Sequence, residues 1–245
     1  MIPGSFILGG INSEDYKMVI QNRPELYTPK RKVEFQNISG MSGLMPFDEM
    51  AYDNTSMELV CFVSETAEYS ESDQRENVYN MFDTGSYKEF RPYFDPTKIY
   101  RVHPDSPPSF ETRYFYDGGQ VFKVGLTVKP YKHYIDQPLI TITTPGTVTN
   151  PHRIESRPII KIFGTGNVTL TVNGQAFQIQ NIVEHISLET ELMMAYNELP
   201  GGVIDNENDK ILTKVYPFLK KGANTISWSG TVSKIEIEPR WRSLA

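Results

Sequence analysis

The side chains best suited to metal or nucleophilic chemistry are few and scattered: one cysteine, Cys61, and four histidines, His103, His133, His152 and His185. A zinc site gathers several such ligands at short spacings, commonly i and i+4 on one helix face or a tight Cys-x-x-Cys turn. No pair in this chain has either spacing, and a lone thiolate has no second one with which to share a metal. Cys61 sits in the run Leu59-Val60-Cys61-Phe62-Val63, where a thiol behaves as a small apolar core residue. A catalytic thiol would instead need cationic, partly exposed surroundings to lower its pKa. A single cysteine forms no intramolecular bridge either, which points to synthesis in a reducing cytoplasm.

Oxygen and glycine clusters fare no better. Asp205-Asn206-Glu207-Asn208-Asp209 has donors at alternate positions, as a calcium loop does, but Lys210 and Tyr216 stand where an EF-hand needs Gly and Glu. It reads as a solvated turn. Gly164-Thr165-Gly166-Asn167 could cradle a phosphate only if a helix N-terminus and a Lys-Ser/Thr pair followed; a β pattern follows instead, and a turn is the simpler reading. No G-x-S-x-G elbow occurs. Aromatic residues concentrate at Tyr87, Phe90, Tyr93, Phe94, Tyr100, Tyr114, Phe115, Tyr116, Phe122, Tyr131 and Tyr134. Exposed rings could stack on sugar faces, but filling a β core or a subunit contact is the commoner use. Trp228 and Trp241 leave the same two roles open. We therefore expect no catalytic residues, no cofactor and no metal.

Composition narrows the partners. Residues 1–136 hold 14 Lys+Arg against 20 Asp+Glu and residues 137–245 hold 10 of each, so the whole net charge of −6 lies in the first part. A nucleic-acid binder would show a basic patch to neutralise phosphates, so sequence-specific nucleic-acid binding is not expected. The start, Met1 to Gly10, has no basic region and only a short apolar run, unlike a secretory signal. No stretch approaches the ~20 apolar residues of a spanning helix, so a soluble protein without membrane insertion is expected.

The elements that would carry these residues are mainly β. Strand-length runs rich in Val, Ile, Thr, Tyr and Phe recur at Lys32–Phe35, Met57–Val63, Thr112–Tyr116, Val121–Val128 and Leu139–Thr143. Val168–Val172, the pair Asn173-Gly174 and Gln175–Ile179 predict a hairpin on a type I′ turn. One helix is expected from Asp73 to Asp83, with Asp73 and Glu76 at capping-box spacing, Gly85 beyond its end and Val78, Met81 and Phe82 as its apolar stripe. A loop-rich segment is expected from Gly40 to Asn54. Pro130, Pro138, Pro145, Gly146 and Pro151 limit regular pairing, which places a domain boundary near Asp136. The expectation is one β-rich domain over 1–136 and a compact β-sandwich over 137–245.

Several segments in fixed order resemble one family, the distal tail (Dit) proteins of long-tailed bacteriophages. In the first half these are Val33–Cys61, with Ile38-Ser39-Gly40-Met41-Ser42-Gly43 and Ala51-Tyr52-Asp53-Asn54, then the helix and Val128-Lys129-Pro130-Tyr131-Lys132. In the second they are Asn150, Ser156-Arg157-Pro158-Ile159-Ile160-Lys161-Ile162, Gly164, Gly166, Tyr216-Pro217-Phe218-Leu219, Gly222-Ala223-Asn224-Thr225-Ile226 and Ile237-Glu238-Pro239-Arg240-Trp241-Arg242. The resemblance implies an N-terminal ring-forming domain and a C-terminal galectin-like β-sandwich. It implies a homo-hexamer at the tip of a virion tail, joining the tail tube protein to the tail-associated fibre or hub protein and supporting receptor-binding proteins. It carries over no catalytic residues, and the chain is too short for the inserted carbohydrate-binding module of larger relatives.

Two sets of residues follow as candidates. Glu25–Asp48 is expected at the subunit interface, because Ile38, Met41, Leu44, Met45 and Phe47 are costly to leave in water; a buried internal loop is the competing reading. Glu58, Glu65, Glu68, Glu71, Asp73 and Glu76 are expected to line a ring lumen and repel DNA in transit, against an ordinary solvated acidic face. The alternative function is a carbohydrate-binding module or phage receptor-binding protein, carried by the second sandwich and its aromatics; a glycosidase is the weakest reading.

Overall fold

The computed structural model describes residues 1–65, 70–111 and 118–245, and it is mainly β with one α-helix among those residues. The expected strand Thr112–Tyr116 and Glu68 lie outside the described residues. The chain divides into two compact units, Met1–Lys132 with Leu244–Ala245, and His133–Ser243, each with its own apolar core.

The first unit is built on two strands, Thr55–Ser64 and Gly119–Val128, paired antiparallel along their whole length from Thr55 opposite Val128 to Ser64 opposite Gly119. Alternation explains the pairing: Met57, Leu59, Cys61 and Val63 point into the core from one strand, and Phe122, Val124, Leu126 and Val128 from the other. The sheet continues through Lys98–Pro104, Lys88–Pro92, Phe6–Leu8 and Ile11–Asn12 on one side and Met18–Asn22 on the other. His103 and Pro104 thus end a strand, and the proline-rich loop begins only at Asp105.

The helix spans Glu71–Phe82 and starts two residues before the expected Asp73. Ser70 is the N-cap. Its backbone N–H donates to the Asp73 carboxylate at 2.9 Å, while the Asp73 N–H donates to Ser70 Oγ at 3.4 Å. Ser70/Asp73 and Asp73/Glu76 have the same spacing, so the capping pattern alone does not choose between them. Val78, Met81 and Phe82 do face the core, and Phe82 lies 6.2 Å from Phe6 and 6.0 Å from Phe122 between ring centroids.

The expected loop Gly40–Asn54 is instead largely a strand, Leu44–Tyr52, which pairs with Arg31–Asn37 in a separate two-stranded sheet. Periodicity hides it because apolar residues occur at consecutive positions, Leu44 and Met45, and Pro46 removes a ladder donor.

In the second unit two long strands, Ile159–Val172 and Gly222–Glu238, run through both halves of a folded-over sheet. Ile159–Phe163 pairs with His185–Glu189 and with Lys234–Glu238; Val168–Val172 pairs with Gln175–Ile182 and with Ile226–Ser229. Gly164–Asn167, expected to be a turn, is the bend within the first of these strands, where the register shifts. A side chain at Gly164 would overlap the Thr231 carbonyl, and one at Gly230 the Asn167 carbonyl, so both crossings require glycine. Met194–Leu199 and Val203–Asn206 extend one half, and Ile140–Ile142 and Gly146–Asn150 pair with Gly222–Glu238. The predicted hairpin forms, with Asn173 at φ 52° and Gly174 at φ 82°. The acidic stretch is solvated as expected at Asp205, Asn206, Asn208 and Asp209, but it is not one turn: Asp205 and Asn206 end a strand, Glu207 is buried and paired with Lys210, and Asn208 Oδ1 accepts from the Ala195 N–H at 2.6 Å.

Candidate subunit interface

The hairpin Arg31–Asn37 with Leu44–Tyr52 is an arm whose side chains almost all face solvent. Its base is tied down by polar contacts. The Asp53 N–H donates to the Lys30 carbonyl at 2.9 Å, Thr55 Oγ1 to the Tyr27 carbonyl at 3.0 Å, and Asn54 Nδ2 to the Tyr87 hydroxyl at 2.9 Å. Across the arm, Arg31 Nε donates to Asp48 Oδ1 at 2.9 Å, and the guanidinium also reaches the Tyr52 hydroxyl at 3.2 Å. The Arg31 guanidinium, with the Met50 N–H second, holds the Asp48 carboxyl below the usual carboxylate range. The register shifts between Arg31 and Val33, and within the extra length Met50 takes φ 53°. Its side chain is 83% exposed.

All five expected interface residues, Ile38, Met41, Leu44, Met45 and Phe47, are exposed, so a buried internal loop is not what the chain forms. They do not share one face. Phe35 stands opposite Pro46 and Asn37 opposite Leu44, while Glu34 stands opposite Phe47 and Gln36 opposite Met45. Directly opposed residues share a face, so Phe35, Leu44 and Pro46 form one apolar surface and Met45 and Phe47 the other, with Ile38 and Met41 at the tip. Phe35, 62% exposed, and Met50 were missed by the sequence reading. The signal for Phe35 is its two-residue spacing from Val33, which becomes meaningful only once its partner strand is known. A two-stranded hairpin is marginal alone in water, and an apolar surface on both sides calls for covering on both.

The acidic candidates are dispersed. Glu58 and Glu65 are exposed, and Glu58 points to the opposite sheet face from Leu59, against whose cluster the helix packs. Glu71 forms an ion pair with Arg75 at 2.6 Å, Asp73 is held in the cap, and Glu76 is exposed. The Ser70 hydroxyl and backbone N–H hold the Asp73 carboxyl below its ordinary range. Glu58 and the helix carboxylates therefore lie on different sides of the sheet.

Among the described residues, no group of three His, Cys, Asp or Glu stands together as a metal site, and no helix is long and apolar enough to cross a membrane. Cys61 is buried, and desolvation pushes its thiol pKa up, away from nucleophilic use. His152 stacks on Tyr134 with centroids 3.9 Å apart, and His185 stacks on Phe163. Of the aromatics, Phe90, Tyr100, Phe122 and Trp241 are in the cores, and Tyr87 is exposed.

Two β units, one helix and a solvent-facing arm make up this chain, and its fold is similar over nearly its whole length to solved bacteriophage hub and baseplate proteins. The crystal structure of the Dit (gp 19.1) protein of phage SPP1, described as a paradigm of the hub adsorption apparatus in phages infecting Gram-positive hosts, matches with a TM-score of 0.68 and 12% identity, over 96% of this chain and 98% of that one. A chain of the phage P2 baseplate in its activated conformation with Ca matches at 0.56 and 10% identity, over 97% and 98% of the two chains. The corresponding baseplate with Sr gives 0.55 and 10%, over 98% of each. No protein-family model and no curated protein matches the sequence. At such identities the likeness is one of fold.

Proposed function

We propose that this chain is a non-enzymatic structural protein of a phage tail tip, a distal tail hub whose first unit closes into a hexameric ring and whose second unit supports receptor-binding proteins. In that role it joins the tail tube to the tail-associated fibre protein, within the virion. The observation that carries the reading is the arm: a solvent-facing hairpin with Phe35 and Leu44 on one side and Met45 and Phe47 on the other, in a chain with the hub fold along its whole length. A ring is made by a head-to-tail contact in which one patch meets a different patch on the next copy, and an arm apolar on both faces is suited to lie between copies.

Light scattering coupled to size-exclusion chromatography, with negative-stain imaging, tests this directly. Rings are expected from the intact chain at high concentration or with its tube partner, and removing Ser39–Phe47 should abolish them while leaving a folded monomer. Unchanged rings in the deletion would refute the arm as the contact. The acidic lumen is proposed in a narrower form, carried by the helix residues Glu71, Asp73 and Glu76; a ring structure with these on its outer rim would end it.

A further inference from the structure

A cavity of about 340 Å³ in the first unit lies outside the arm, between the end of the helix and the loop that follows the Lys98–Pro104 strand. Tyr79 and Phe82 give it aromatic lining, Pro104, Pro107 and Pro108 aliphatic lining, and Asp83 and Asp105, one from each element, are its charged groups. We propose that this cavity is a docking site for an arginine side chain presented by a partner protein.

Charge is the first argument. Among the described residues no Lys, Arg or His lines the cavity, and the last turn of the helix holds no basic residue. Neither carboxylate has an ion-pair partner among the described residues. The C-terminal end of a helix is the negative end of its dipole, where a carboxylate is unfavourable and a cation favourable. Asp83, the C-cap residue, therefore weakens the helix that it ends, and a cation in the cavity would relieve that repulsion. Shape is the second argument. A guanidinium is planar, donates sideways to carboxylates and stacks on an aromatic face, and Tyr79, 45% exposed, offers such a face. A neutral sugar could use the ring but would bring no counter-charge to the two carboxylates that line the cavity.

The test uses the intact, isotope-labelled chain and arginine amide as the probe, with citrulline amide as its neutral isostere. Arginine amide is expected to shift the amide resonances of Thr84, Asp105 and Ser106 saturably, with an affinity of about millimolar; salt at about 1 M, where screening acts within ~3 Å, should remove the effect. Asp83→Asn should weaken binding about fivefold while leaving the Tm unchanged or raised, a combination that a merely structural residue would not give. Asp105→Asn, away from the helix, should weaken it similarly, and Tyr79→Ala should reduce it without altering shifts in the second unit. No response at these amides, an equal response to citrulline amide, or preferential binding of glucose or N-acetylglucosamine at the cavity would overturn the proposal.

Discussion

At the scale of single residues, backbone geometry and burial make the sharpest demands. Gly230 combines φ 100° with a neighbouring carbonyl where a Cβ would stand. Gly230→Ala should therefore cost at least about 2 kcal/mol, read as a lower denaturation midpoint of the second unit. Cys61 is buried and its thiol pKa raised, so a water-soluble disulfide reagent at neutral pH should leave it intact in the native protein and label it only on unfolding. Ser70→Ala should destabilise the helix by about 1 kcal/mol through loss of the cap. Asp73 adds a pH dependence. Its folded pKa is lowered, so its stabilisation is fully present above the ordinary carboxylate value of about 3.9 and is lost as pH falls through the lower folded value. Amide exchange at the helix N-terminus should accelerate in that acidic window and be unaffected near neutrality.

At the scale of elements, the arm separates folding from assembly. Its apolar residues contribute little to the monomer because they are exposed there, and exposed substitutions usually change stability by under about 0.5 kcal/mol. Phe35→Ser combined with Met45→Ser, one on each face, should leave the monomer's thermal transition in place and prevent ring formation, as measured by light scattering. A large drop in Tm would show that the hairpin belongs to the fold itself. The helix and the Asn173-Gly174 hairpin were legible in the sequence because their signals are local: an apolar stripe at helical spacing, although the cap is Ser70 with Asp73 and not Asp73 with Glu76, and a turn pair with two positive φ angles. The arm was not. Its apolar residues were recognised, but strand Leu44–Tyr52 carries no alternation of its own and is defined by what stands opposite it.

For the whole molecule, two separate cores predict separable unfolding. Leu59 belongs to the first and Leu170 to the second, each wholly buried. Leu59→Ala and Leu170→Ala should each cost about 2–5 kcal/mol, and calorimetry should show a different transition displaced by each. A single transition shifted equally by both would mean that the units unfold together.

The residues by themselves determined that the chain is mainly β, that its acidity lies in the first part and that a helix carries Val78, Met81 and Phe82. These are properties of composition and of short periods, and they need no partner segment. Only the tertiary structure decided that Gly164–Asn167 is a bend within one long strand, that the interface candidates divide between two faces, and that Asp83 and Asp105 line the same cavity. Each of these depends on which backbone lies beside which across tens of residues, and local patterns do not encode that pairing.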